Sequence, residues 1–558
     1  MSSVAVVVPP FFEPSATSYP AVLLENEATK IGYTVTFELG NCIVAKIARG
    51  LGLKASVVKR FYRAHYAGDL SVLPLLPNWT AGHDQERREC AHWVGIEWDD
   101  LSVMTQSIDT WITGAIKRLK GADIVAITAT HFGLAPSVAL IDALRESGYL
   151  GYVVLGGYFP SPDAASLFFD KYQQEIDAVV YGEAEGIWPS ILDSRPQGVV
   201  FAPPSSLTLS ASDHLPYVRA MEGLGWQASD ITVSVEATRG CYWDKCDFCN
   251  FNAGYQPRGM KTRPPEVVLS EMDDLSEQGI SRFQFLDTSL PISVGRALER
   301  MPWSRRWQVF CEIRADYRRR DIESLKRMGT VVVQIGIESL SDSHLVLMSK
   351  NTCVEDNIRI LRDCRDLETL VVWGLFVGHP EENVEQLVEV LEAMKVIHHL
   401  PPPKYVTHCE IRAGSQLWSN IIHSRQGTIS FPFRCFDGYL DPKVEFSELL
   451  PSHLSLLKES DPQTLSLIGE IEKELQRWNR AFADGASRRV ITASGILEVI
   501  EPGVRYESHI SPELVVAIRG VNTECSPRFS GALATEAVAS GLAIRLSNGD
   551  ALMVADRV

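Results

Sequence analysis

The chain has 558 residues, 45% of them apolar, and a formal net charge of −17. That length suits about three or four domain-sized units, and the acidic balance excludes a general nucleic-acid binder, which needs a basic surface to neutralise phosphates. No apolar run reaches the ~18 residues of a membrane span, and the start, MSSVAVVVPPFFEP, lacks a signal peptide's basic region and cleavage site. A cytoplasmic, monomeric enzyme acting on a small molecule or peptide is the expectation.

Residues 1–205 alternate apolar strands (VAVVVPP, YTVTFEL, ADIVAITAT, YVVLGGY, DAVVYGE) with amphipathic helices such as AVLLENEATKIG and SVALIDALRESG. Such alternation implies parallel pairing in a doubly wound α/β sheet. Ligands of these sheets sit at the carboxyl ends of the strands, here Thr128-Ala129-Thr130-His131, Gly156-Gly157-Tyr158 and Gly182-Glu183. The Gly-Gly pair reads equally as a tight turn or as a place of ligand approach. Residues 50–115, aromatic and closing in a helix, read as an insertion near this edge. RPQGVVFAPPSSLTLSASDHLPY, rich in Pro and Ser, reads as an irregular linker.

Over residues 206–455 the alternation resumes with ITVSVEAT, RFQFLD, WQVFCEIR, VVVQIGIES, LVVWGLFVG and YVTHCEIR. Charged residues fall at strand ends, where a barrel-like parallel sheet places its active site. HHLPPP, with His398, His399 and Pro401–Pro403, closes a helix before the next strand, since Pro cannot continue one. Residues 456–558 form a small α+β unit: the helix QTLSLIGEIEKELQRWNRAFA, strands at RRVITASGILEVIE and PELVVAIRG, a helix in ALATEAVASGLA, and a hairpin turning at Asn548-Gly549-Asp550.

The chemistry concentrates at Cys241, Cys246 and Cys249 in RGCYWDKCDFCNF, just after an apolar run. Thiolates suit iron–sulfur clusters and zinc, but structural zinc takes a closed set of four protein ligands. Three ligands leave a metal position open for a substrate or cofactor. The other eight cysteines show no framework spacing, which suits a reducing compartment.

With this loop and the strand ends that follow it, the chain resembles the radical S-adenosylmethionine (SAM) enzymes, in the subclass with an N-terminal cobalamin domain. The resemblance implies three domains: a cobalamin-binding domain over 1–205, a partial (β/α) radical SAM barrel over 206–455, and a C-terminal module over 456–558, winged-helix-like, that either docks a leader peptide or covers the barrel mouth. It implies a 4Fe-4S cluster on the three cysteines with SAM on the open iron. SAM contacts would come from Phe248, Asp287, Glu312, Arg314, Glu338, Ser339, Gly374 and Gly378. Cobalamin contacts would come from Thr128, Thr130, His131, Gly156, Gly157, Tyr158, Gly182 and Glu183, with Arg63, Tyr62 and Tyr66 near the cobalt face. No Asp-x-His-x-x-Gly signature supplies an axial histidine.

Within the subclass the chain looks most like the C-methyltransferases that modify ribosomally made peptides in antibiotic pathways, including the tryptophan 2-C-methyltransferases. The implied activity carries a methyl group from SAM through methylcobalamin to a carbon of a peptide, an amino acid such as tryptophan at C2, or a natural product. An electron donor of flavodoxin or ferredoxin type is implied if the chemistry is radical. The alternatives are a cobalamin-dependent cyclase or ring-rearranging enzyme without net methylation, a cobalamin sensor and a zinc protein. One feature departs from the family: four residues separate Cys241 from Cys246, where three are usual. That leaves open whether SAM chelates the cluster and whether transfer is radical. No single catalytic residue stands out.

Overall fold

The computed structural model describes residues 2–63, 67–76, 83–129, 133–157, 159, 162–204, 212–250, 260–299, 307–409, 411–412, 414–424, 462–491, 493–501, 504–519 and 527–557. These fall into two compact units. One takes in the chain up to Asp244 together with Cys249–Leu286; the other takes in Lys245–Phe248, Asp287–Ile411 and the C-terminal residues.

The first unit is built on a six-stranded parallel sheet. Its strands are β1 (Ser3–Val8), β2 (Thr34–Leu39), β3 (Ile124–Ala129), β4 (Tyr152–Gly157), β5 (Ala178–Gly182) and β6 (Gly198–Ala202), ordered β2-β1-β3-β4-β5-β6. Every residue of β3 is buried, and β1 is buried after its first residue. Strands covered on both faces need continuous apolar runs, which is why VAVVV and IVAITA do not alternate. Strand order reverses between β1 and β3, the switch point where doubly wound sheets open a ligand crevice. The loops leaving these strands approach closely there: a Cβ on Gly133 would lie 2.7 Å from Pro9 Cγ.

One expectation is corrected here. GVVFA, within the stretch read as irregular linker, is the edge strand β6, parallel to β5. Among the described residues its outer side has no strand partner, and Phe201 is 57% exposed, so the strand carries little of the apolar pattern that marks the others. The insertion is helical, as its closing pattern suggested, with described helices Ala55–Phe61, Ala67–Val72, Asp84–Trp93 and Trp98–Leu119. The last is fixed to the sheet by Glu38, which accepts from Trp111 Nε1 at 2.8 Å and from both Arg118 Nε and Nη2.

The same unit continues through β7 (Thr232–Val235), the short antiparallel pair β8 (Thr238–Arg239) and β9 (Lys261–Thr262), and β10 (Arg282–Phe285), parallel to β7. The loop after β1 runs beside β7: Ser234 N–H donates to Thr17 Oγ1 at 2.9 Å and Ser234 Oγ to Thr17 O at 2.7 Å. Arg263 and Glu271, both fully buried, pair at 2.6 Å. The segment that enters the cysteine loop is therefore tied into the doubly wound unit.

The second unit holds β11 (Gln308–Arg314), β12 (Thr330–Gly336) and β13 (Leu370–Val372), all parallel, and the parallel pair β14 (Gly374–Val377) and β15 (Tyr405–His408). Intervening helices start on legible signals: Ser341 accepts from His344 N–H, and Asn383 with Gln386 forms a capping box. Towards the C-terminus come the antiparallel meander β16 (Ser487–Ile491), β17 (Ile496–Glu501) and β18 (Val504–His509), and the strands β19 (Arg528–Phe529), β20 (Ala543–Arg545) and β21 (Ala551–Met553). β22 (Asp556–Arg557) returns to pair parallel with β16. PELVVAIRG, expected as a strand, is the helix Pro512–Arg519. Ser511 accepts from Leu514 N–H at its start, and Leu514 and Ile518, one turn apart, face the core. His398, in the turn after the Val384–Val396 helix, pins this part of the chain through Glu474 at 2.8 Å and Glu501 at 3.3 Å.

Candidate functional site

None of the three cysteines of the loop is in a disulfide, and all three are half-buried. Cys241 follows β8 directly through Gly240, whose φ of +94° suits glycine. Among the described residues, no three His, Cys, Asp or Glu side chains are already gathered as a metal shell. The donor set nevertheless fits an iron–sulfur cluster: three soft donors on one short loop. At Cys246 burial pushes the thiol up, and the nearby charges of Lys350 and Arg314 offset only part of that rise.

Several expected SAM contacts gather at this same cysteine. Glu312 and Arg314 alternate on β11 and so share a face. Neither is a surface residue paired with the other. Arg314 is buried and its Nη2 donates to Lys350 O at 2.5 Å, while burial, reinforced by the charge of Glu338, pushes the Glu312 carboxyl up to about 7. Glu338 sits at φ +63° just after β12, and its side chain takes Lys350 Nζ at 2.9 Å. Its carbonyl accepts Phe376 N–H at 2.7 Å, coupling the end of β12 to β14. Phe248 packs on Phe376 with centroids 5.0 Å apart, with Lys350 Nζ 5.8 Å from its ring. Asp287, two residues beyond β10, is buried, and its charge reaches Cys311 on β11 together with that of Glu312.

The remaining three are held differently. Gly374 is glycine because of its neighbours on β15: a Cβ there would lie 2.8 Å from both Thr407 Oγ1 and the Tyr405 ring. The N–H of Gly378 donates to Glu382 Oε2 at 2.8 Å, and Ser339 Oγ lies 3.1 Å from His344 Nδ1. His344 Nε2 and Glu382 Oε1 are 3.1 Å apart, both buried, without the alignment of a hydrogen bond. Burial pushes His344 down to about 4 and Glu382 up to about 7, so the imidazole is neutral. Sequence reading missed Lys350, His344 and Glu382; their one advance signal is that each follows closely on a strand end already singled out.

At the sheet edge of the first unit, Gly157 and Gly182 have φ of +130° and +108°, and a Cβ at either would strike a neighbouring carbonyl, Ala129 O at 1.9 Å and Ala202 O at 2.3 Å. Strand geometry alone demands these two glycines. Gly156 is different: a Cβ there would make only ordinary contact with Val180 at 3.6 Å, so the sheet leaves its small size unexplained. Thr128, in register with Gly156, donates to Val7 O at 3.3 Å. Arg63 is exposed and paired with Glu13 at 3.2 Å, and the buried Tyr62 donates its hydroxyl to Asn41 O. Thr130, His131, Tyr158 and Tyr66 lie outside the described residues. Glu183 is almost fully buried and committed to two cations, Arg239 at 3.0 Å and Lys261 at 3.2 Å. Arg239 also reaches Glu185 at 2.5 Å and Glu236 at 2.8 Å. The end of β5 is thereby bonded to the residues leading into Cys241.

Residues 235–394, which include the cysteine loop and the strand ends from Asp287 to Gly378, match the model of the radical SAM superfamily. This chain carries a radical SAM domain. Outside that domain the likeness extends further. The chain is 24% identical over 307 residues to the bacteriochlorophyllide d C-8(2)-methyltransferase of Chlorobaculum tepidum, covering 50% of this chain and 64% of that one. It is 23% identical over 306 residues to the anaerobic magnesium-protoporphyrin IX monomethyl ester cyclase of Cereibacter sphaeroides, covering 48% of each. The matches thus span less than two-thirds of these relatives. Among solved structures, the radical SAM methyltransferase TsrM of Kitasatospora setae, with tryptophan and a SAM analogue bound, aligns with a TM-score of 0.57 at 14% identity over 86% of this chain and 89% of that one. The same protein has been solved with cobalamin and a [4Fe-4S] cluster. At that identity the likeness shows a shared α/β fold around the radical SAM domain. No helix among the described residues is long and apolar enough to cross a membrane.

Proposed function

We propose that this protein is a cobalamin-dependent radical SAM C-methyltransferase that moves a methyl group from SAM to a carbon of a peptide, amino acid or natural product. The observation that supports this most is the extent of the likeness to TsrM, which runs over 86% of the chain and so reaches well beyond the residues that match the radical SAM superfamily. Cys241, Cys246 and Cys249 would hold the cluster, and cobalamin would lie at the strand ends marked by Thr128, Gly156 and the β1/β3 switch point. When bound, the cluster supplies single electrons to SAM and cobalamin carries methyl groups; a flavodoxin- or ferredoxin-type protein would be the electron source.

The chain's own residues then have defined tasks. Arg314 presents a fixed planar cation of the kind that binds a carboxylate with two bonds, and Lys350 with Arg314 offsets part of the cost of a thiolate at the buried Cys246. Glu312, with a proton affinity near neutrality, can hold or release one proton beside the site. Phe248 and Phe376, their rings tilted 39° to one another, give an apolar aromatic surface against which a nucleobase can pack.

The test is incubation of reconstituted protein with methyl-labelled SAM and a panel of tryptophan and short peptides. Label in a product, with or without matching 5′-deoxyadenosine, supports methyl transfer and separates radical from non-radical chemistry. The likeness to the cyclase favours a second reading, rearrangement without methylation; a product that carries no label would select it.

A further inference from the structure

The reading of the cysteine loop leaves one buried constellation without a task. Asp247, the residue after Cys246, places Oδ2 3.0 Å from Nε2 of His379, whose side chain is 1% exposed. The tautomer follows from the other ring nitrogen. Nδ1 lies 3.2 Å from the N–H of Glu381 and accepts from it, so the ring proton sits on Nε2 and is donated to the carboxylate. The second oxygen, Asp247 Oδ1, is buried and has no hydrogen-bond partner among the described residues. His379 is thus the carboxylate's one side-chain donor there. The backbone of the same residue is held too, Asp247 N–H to Met348 O at 3.3 Å, and Phe248 packs on Phe376.

We propose that His379 is a latch for the cysteine loop, a positioning residue that fixes Cys246 in place through Asp247. This rests on the reading of the three cysteines as cluster ligands. The physical need is set by the loop itself. Four residues between Cys241 and Cys246 add conformations that must be frozen when the thiols converge, and the thiols do not stand gathered beforehand. A neutral imidazole donor on a carboxylate removes much of that freedom one residue from the sulfur, and its rigid ring is itself aimed by the Glu381 N–H. A charge-assisted hydrogen bond of this kind, made in a buried site, is strong enough to change loop occupancy about tenfold. The anchor is on the loop after β14, 132 residues away in sequence, so the strand that carries Gly374 and the turn at Gly378 that follows it also order the cluster ligand.

The experiment compares wild type, His379→Ala, His379→Gln and Asp247→Asn in the full-length chain. Two quantities are read: the alkylation rate of Cys246 in the metal-free protein, by mass spectrometry of the tryptic peptide, and the iron and sulfide retained under chelator after anaerobic reconstitution. In His379→Ala, Cys246 should alkylate about tenfold faster and the cluster leave about tenfold faster. His379→Gln, whose amide N–H can reach the same carboxylate, should recover most of both, and Asp247→Asn should lie between. Unchanged rates in His379→Ala overturn the latch. So does a His379→Gln variant as impaired as His379→Ala with an equal drop in thermal midpoint, which marks a merely structural histidine. If wild type takes up no iron and sulfide, the cluster reading fails, and the alkylation rates still decide the latch by themselves.

Discussion

Replacing Arg239 by Met keeps the length of the side chain and removes the one guanidinium on which Glu183, Glu185 and Glu236 converge. The four side chains are between 2% and 14% exposed, so the loss is of a buried cation, which typically costs about 3–5 kcal/mol when its partners stay ionised. Two features place the expected value near the lower end, about 3 kcal/mol. Lys261 keeps its 3.2 Å contact with Glu183. The Glu236 carboxyl, already raised by burial against the pull of Arg239, will take up a proton more readily than remain charged. The sign with pH follows. Carboxylates whose folded-state affinity for protons exceeds that of the unfolded chain lose stability as pH rises, so the Arg239→Met deficit should shrink as pH falls from about 8 towards about 5. The assay is urea denaturation of the full chain with hydrogen exchange read at β5 and β8. Arg239→Lys should fall between, since a point charge cannot span three carboxylates as a planar fork does. A deficit below about 0.5 kcal/mol, or one that does not narrow at acid pH, would show that solvent screens this cluster and that it does not bind β5 to the cysteine loop.

Three further substitutions have defined outcomes. In His398, burial opposes the charge, but bonds to Glu474 and Glu501 outweigh it and raise the ring to about 9 from 6.5. A raised value contributes stability that is complete below the unfolded value and lost as pH rises through about 9. His398→Gln should therefore destabilise the C-terminal part by about 2 kcal/mol at pH near 6, after allowing for solvent screening, and by little above pH about 10; a gap that grows with pH contradicts the assignment. Gly157→Ala should lower stability by about 1–3 kcal/mol or more, from positive φ and collision with Ala129 O. Gly156→Ala should leave thermal stability nearly unchanged and weaken cobalamin binding in a spectroscopic titration. Equal effects of the two substitutions on stability would remove the case for Gly156 as a ligand-facing position.

Much of the fold is legible because its periodicity is strong. Continuous apolar runs mark β1, β3, β4 and β5, which are buried on both faces. β6 was hidden because an edge strand needs less apolar surface and its neighbours in sequence are Pro and Ser. Pro512–Arg519 misled for the opposite reason: LVVAI has the composition of a strand, while Ser-Pro-Glu at its start is a helix-entry signal that composition outweighed. At the site, Cys246, Glu312, Arg314 and Glu338 were all visible as strand-end or loop residues. Their supports were not. Lys350 meets Cys246 across 104 residues of sequence, a separation read from their numbering, and the partners Asp247–His379 and Glu183–Arg239 are likewise remote. Pairs of this kind leave no local pattern, because tertiary packing alone brings them together.

The proposed function requires that this chain move the methyl group of SAM by way of cobalamin. The most direct measurement needs no knowledge of the substrate. Protein reconstituted anaerobically with iron, sulfide and reduced cobalamin is mixed with methyl-labelled SAM, and the extracted cobalamin is weighed by mass spectrometry. Labelled methylcobalamin is expected, formed by wild type in amounts comparable to the enzyme present and absent without protein. Cobalamin that binds yet emerges without label would contradict the proposed function.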